Sequence, residues 1–380
     1  MMTGILMSFV LFMGLAVDHT PSTASLDDVY QYAPDGANYA VFMDTKSILA
    51  PTLKKVTSMS NDPMVRELLG EKRAGELTAG IVGARAMAKE MVGLDPVDDI
   101  HWVAAWIKFG RDGEPKLLVA AKGNWPAGLL ARMSKRMGGT LDRVHGRSIL
   151  RGPSGKMAIG QAGKDVMLFG NAAWIEPRLA RGWRAPKIDG TVRTLFAKKP
   201  NVVFFSEPSP ASGNVIKRWF KGKAAFMRWP LLAHKQFGVA IDHKGFQTYW
   251  KATNTKGLQR AKLTFEGGVS LLRAMQHSMS GVGRLVLAWL PSKSNNSVIA
   301  TLAKHRGTLL KMLDKAAGNG DFKATVKVNK RQKTVRVEAV GTSLVQMLPM
   351  VGLPMGVAYM GFVGSDPEKK RKNVLPSPRN

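Results

Sequence analysis

Apolar residues run in short blocks broken by glycine-bearing turns, and the blocks come in pairs. Trp102 to Phe109 (WVAAWIKF) is followed by Arg111-Asp112-Gly113 and then Leu117 to Ala121, which reads as strand, tight turn and return strand. Lys156 to Gly160 and Asp165 to Phe169 make a second such pair around Gly163. Phe237 to Asp242 and Phe246 to Ala252 make a third around His243-Lys244-Gly245, and Phe322 to Val328 with Thr334 to Val340 a fourth. Single strands are expected at Tyr39 to Met43, Asn201 to Ser206 and Arg284 to Leu290.

Helical spacing of apolar residues fills the gaps. It predicts helices over Ser47 to Val56, over residues 63–92, and from a cap at Asn124 through Leu129, Leu130 and Met133. Further helices are expected from Ala172 to Leu179, from Asn214 onward, from Leu258 to Ser278 and from Ser297 to Ala316; Gly93 to Asp99 is a loop. The order strand, helix, hairpin, helix occurs twice. The predicted fold is α+β: two related units, 25–200 and 201–340, each an antiparallel sheet with helices packed on one face.

The two ends carry a different pattern. Gly4 to Val17 is an uncharged apolar run, too short to span a bilayer but suited to the core of a signal peptide. Ser22 and Ala24 supply small residues two apart, so residues 1–24 are read as a signal peptide, although no Lys or Arg precedes the run. Ala339 to Ser365 holds no charge, and its centre, Leu344 to Gly364, is long enough to cross a membrane. Pro349 and Pro354 would kink such a helix. Lys369, Lys370, Arg371 and Lys372 follow as a positive-inside anchor, which makes 365–380 a basic cytoplasmic tail. The competing reading is an apolar hairpin that closes the core.

A resemblance enters on these residues. PDGANYAVFMD, GLDPVDDIHWVAAW, KLLVAAKGNWPAGLLARM and MAIGQAGKDVMLFGN together resemble a broad class of uncharacterised bacterial extracytoplasmic proteins, over about residues 30–180. The resemblance is one of element order. It implies a secreted or membrane-anchored envelope protein and carries over no functional residue.

Charge then narrows the partner. The chain has 56 Lys+Arg against 27 Asp+Glu, a net charge of +29. Residues 201–340 hold 24 basic and 6 acidic side chains, so most of the field lies in the second unit. Such a field attracts acidic lipid, envelope polymer or nucleic acid. Two clusters are the candidates for an anionic surface. Lys217, Arg218, Trp219, Lys221, Lys223, Arg228 and Trp229 interleave cations with rings, a mixture that suits a headgroup interface or stacked bases. The spacing of Trp219, Phe226 and Trp229 also fits an ordinary amphipathic helix with its rings in the core. In the last hairpin, strand alternation sets Lys323 and Lys327 opposite Ala324, Val326 and Val328; Lys330 and Arg331 lie in the turn and Arg336 returns on the outer face.

Catalytic and cofactor chemistry finds little support. There is no cysteine, and no two of the seven histidines have helical metal-ligand spacing. Asp27-Asp28 and Asp98-Asp99 read as capping or turn residues. Gly152-Pro153-Ser154-Gly155-Lys156 departs from phosphate-loop spacing and reads as a turn, and no serine-nucleophile signature occurs. The sequence therefore points to a non-enzymatic, membrane-anchored, periplasmic envelope protein that binds an acidic partner, with no cofactor or metal. A soluble nucleic-acid-binding protein and an enzyme of unfamiliar type are the alternatives.

Overall fold

The structure is a computed structural model. It describes residues 22–61, 93–109, 114–180, 183–210, 234–242, 244–289 and 323–341, with scattered residues between 63 and 90, 213 and 217, and 303 and 311. The expected signal peptide core, the span at 344–364 and the tail at 365–380 lie outside the described residues, as do Arg218, Trp219, Lys221, Lys223, Arg228 and Trp229. Among the described residues, no helix is long and apolar enough to cross a membrane.

Twelve strands form one sheet in which every neighbouring pair is antiparallel. In chain order they are β1 (Tyr39–Met43), β2 (Ile100–Phe109), β3 (Pro115–Gly123), β4 (Thr140–Val144), β5 (Arg147–Arg151), β6 (Met157–Gln161), β7 (Val166–Asn171), β8 (Val202–Ser206), β9 (His234–Asp242), β10 (Gly245–Ala252), β11 (Lys323–Asn329) and β12 (Thr334–Val340). Across the sheet they lie β11-β12-β10-β9-β8-β1-β2-β3-β7-β6-β5-β4. The two halves meet at β1 and β8, with Val41 opposite Phe204. From that seam each half winds outward alike. Three strands form a meander, and the last strand of the half returns to pair with the third: β7 with β3, and β12 with β10.

Six helices matter here: α1 (Leu26–Tyr30), α2 (Thr45–Asn61), α3 (Leu129–Met137), α4 (Ala172–Leu179), α5 (Gly190–Phe196) and α6 (Thr255–Trp289). They cover both sheet faces, not one. Val29 of α1, Ile175 and Leu179 of α4, and Val192 and Leu195 of α5 bury the main core against Phe42, Trp106, Leu118 and Leu168. On the opposite face α2 packs Ile48 on Val202 and Ile241, α3 packs Leu129 and Leu130 on Leu150 and Met167, and α6 packs Leu258 and Ala261 on Trp250 and Val335. The cause is in the strands. IHWVAAWIKF is apolar at odd and even positions alike, and a strand of that kind requires cover on both sides.

Two further expectations are corrected. Arg284 to Trp289 continue α6 as helix and do not form a strand; a short apolar run does not distinguish the two states by its pattern. Asn124 does not cap α3, which begins after Gly128 with no side-chain cap, while the Asn124 N–H donates to the Asp99 carbonyl. The carboxylate pairs do serve as caps and turns. Ser25 and Asp28 form a reciprocal capping box on α1, and Asp99 Oδ2 accepts from the Asp95 N–H at 2.7 Å. At the start of the described chain Ser22 is buried, with its N–H on the Lys199 carbonyl.

Candidate anion-binding face

Period-two alternation builds the site. In β11 and β12 the residues facing α6 are Ala324, Val326, Val328, Val335, Val337 and Ala339, so their neighbours in sequence must face the other way. Register then fixes rows of side chains across three strands. Lys327 lies opposite Arg336, which lies opposite Tyr249; Asn329 lies opposite Thr334, which lies opposite Lys251. Lys323, Lys327, Lys330, Arg331 and Arg336 are all exposed. Lys327 and Arg336 are like charges directly across a ladder, an arrangement that costs stability. None of these five cations, nor Lys251, has a carboxylate partner among the described residues.

The helix α5 turns part of this face into a groove. Asp189 caps it, accepting from the Thr191 N–H at 2.7 Å. Leu195 sits over β9 at Gly238, where an added Cβ would stand 2.4 Å from Leu195 Cδ1; glycine lets the helix approach the sheet this closely. Gln247 Nε2 donates to the Leu195 carbonyl at 2.9 Å and ties the helix end to β10. Between α5, the floor of β10 and β12, and the β11–β12 turn lies a groove of about 470 Å³, lined by Lys251, Arg331 and Arg336 among its walls. The Arg336 guanidinium stands over the Tyr249 ring at 5.6 Å, which holds it by cation–π attraction. At the edge of this face Glu338 is occupied by Lys198 at 3.4 Å, so it leaves the groove cations unneutralised.

The structure thus brings together all five hairpin cations picked from the sequence. Lys217 is exposed on a helical segment. Lys251, Tyr249 and α5 were not read from the sequence as site elements. The signal for Lys251 was its alternation with Trp250, which places the two on opposite faces.

Other polar clusters are committed elsewhere. In a groove of about 660 Å³ lined also by Asp35, Glu176 is engaged by Arg151 and the Trp183 indole N–H donates to the Gln31 carbonyl at 3.0 Å. Ser206 Oγ meets His234 Nε2 at 2.9 Å, but both residues are buried, and His234 packs between Phe237 and Trp250. No substrate reaches such a pair without opening the core. Among the described residues, no three metal-ligating side chains gather.

No protein-family model matches the chain, and no curated protein is similar to it. Among solved structures it is similar to two crystal forms of TP0453. Form IV is 11% identical over 59% of this chain and 80% of that one, with a TM-score of 0.35. Form III is 10% identical over 84% of this chain and 97% of that one, with a TM-score of 0.37. At those values the likeness carries no argument about fold or role.

Proposed function

We propose that this chain is a non-enzymatic envelope protein that binds an acidic partner, an anionic lipid surface, through the outer face of β10, β12 and β11. In this reading the body lies on the periplasmic side of the cell membrane, held by the span at 344–364 with the basic tail in the cytoplasm. The body is made of two related units, and the shared outward winding of its halves supports that relation. The observation that carries the function is the set of six cations, Lys251, Lys323, Lys327, Lys330, Arg331 and Arg336, gathered at one end of the sheet with no carboxylate partner among the described residues. Each such cation near an anionic surface is worth about 1 kcal/mol, a sum that salt screens.

The test uses the full chain in a non-ionic detergent and beads coated with phosphatidylglycerol or phosphatidylcholine. Retention on the anionic beads alone is expected, with release at markedly lower salt after joint substitution of Lys323, Lys327, Lys330 and Arg336 by alanine. Equal retention on both beads, or an unchanged release point, overturns the reading. Retention on immobilised nucleic acid in place of lipid would transfer the face to the other class of polyanion. The anchor is tested separately: the chain should stay with membranes through a high-salt wash, and deletion of 344–364 should free it.

A further inference from the structure

We infer that the groove between α5, β10, β12 and the β11–β12 turn is a site for one phosphate monoester, held by Lys251, Arg331 and Arg336. The inference rests on the acidic-partner reading and names the chemistry that the deepest part of the face selects. Three cations from three separate segments line one concavity, whereas Lys323 and Lys327 stand on the open strand beyond it. A carboxylate offers two oxygens and one charge, too little for three cations. A phosphate monoester carries about −1.5 to −2 charges at neutral pH and three acceptor oxygens. Two of the three cations are arginines, whose planar forks match phosphate oxygens two at a time.

The groove is set up for this before any ligand arrives. Arg336 is steadied over Tyr249; of the acids beside the groove, Glu338 is taken by Lys198 and Asp189 accepts from the Thr191 N–H and from Gln236. Gln332 accepts from Asn329 with its Oε1, which leaves its amide N–H groups for a ligand. The Thr194 hydroxyl donates to the Gly190 carbonyl at 2.9 Å and keeps its lone pairs for an incoming hydroxyl. The volume of about 470 Å³ exceeds a bare phosphate, so the body that carries the phosphate is a polar, hydroxyl-bearing group the size of a headgroup. That body belongs either to a lipid or to a soluble phosphate ester.

The experiment titrates the full chain in non-ionic detergent with glycerol 3-phosphate, following the melting temperature, with acetate and glycerophosphocholine as equal-ionic-strength controls. Expected is a saturable shift with glycerol 3-phosphate at least tenfold tighter than with either control. The pair Lys251→Gln and Arg331→Gln should weaken it at least tenfold, while Lys323→Ala with Lys327→Ala, an equal loss of charge, should leave it within about twofold. Arg331→Gln alone, in an exposed turn, covers the case in which Lys251→Gln disturbs folding. Phosphatidic acid in the micelles will compete if the source is a lipid headgroup and will not if it is a soluble ester; both results keep the site. Equal shifts with monoester and acetate, or equal losses in the two variant pairs, overturn it. Unchanged retention on anionic beads in that event shows that the surface reading stands without the site.

Discussion

Arg178 offers the sharpest test of how the first half is held together. Its side chain is 5% exposed, yet its guanidinium reaches three backbone carbonyls. It donates to Tyr32 at 2.7 Å, to Ala33 at 2.9 Å and to Trp174. Its Cζ also stands 4.3 Å from the Trp183 ring centre. The Tyr32 and Ala33 carbonyls lie in the loop that leads from α1 into β1, so one side chain on α4 fastens that loop to the core. Burial pulls the guanidinium pKa down to about 10, against a weaker opposing pull from Asp35, a sign that the charge is costly to hold there. Arg178→Met keeps most of the volume but removes every donor. Two loop carbonyls left dry cost about 1–3 kcal/mol each, and the lost cation–π contact about 1 kcal/mol. The relieved desolvation of the guanidinium returns part of this, so the net loss should be about 2–4 kcal/mol. In urea, with a slope of about 2 kcal/mol per molar, the unfolding midpoint should fall by about 1–2 M, read by tryptophan fluorescence. Arg178→Lys should recover less than half, because one ammonium cannot serve carbonyls in three directions. A Met variant as stable as the wild type would refute the reasoning, since it would mean that desolvating the cation outweighs the bonds it makes.

Two further outcomes are expected. Gly238→Ala should cost about 1–3 kcal/mol by forcing Leu195 aside, and Gly190→Ala, where an added Cβ meets nothing within 4 Å, should cost nothing in the same urea titration; equal effects would show that α5 is not seated through Gly238. Tyr30 packs edge-on against Trp106 and Phe196, and burial, helped by Asp189, raises its phenol pKa above the ordinary 10.0. Its contribution is complete below about pH 10 and is lost as pH rises beyond that value, because the unfolded phenol ionises first. Melting temperatures between pH 9 and 11.5 should therefore fall less steeply in Tyr30→Phe, and an unchanged slope would show that the alkaline loss arises elsewhere.

Most strands were legible because their signal is local. β2 with β3, β9 with β10, and β11 with β12 are apolar runs joined by short turns, and the structure pairs each as expected. The hairpin of β4 and β5 was not read. In its sequence, TLDRVHGRSILR, Leu141 and Val144 lie three apart and so fall on opposite faces of β4, and four charged residues interrupt the rest, which leaves no strand alternation to read. The helices α1 and α5 were missed because five and seven residues are too few to display a period. The seam of β1 and β8 joins segments some 160 residues apart, and no local pattern announces such a pairing. The same division holds for the candidate site. Lys323, Lys327 and Arg336 follow from alternation within one hairpin, whereas Lys251 and α5 join them only through the sheet order.

The placement of β11 at one end of a twelve-stranded sheet has a consequence for posture. Eleven strand spacings of about 4.8 Å set the two edge strands about 50 Å apart along the sheet. At the far edge Arg151 is paired with Asp142 and Glu176. Physiological salt screens charge over about 8 Å, less than two strand spacings. Among the described residues, a charged plane met by the β11 edge would therefore act on the strands beside it and not on the far edge. On the proposed reading the sheet would then meet the membrane by that edge, with the β4–β5 hairpin and the groove beside Trp183 outside the screened layer.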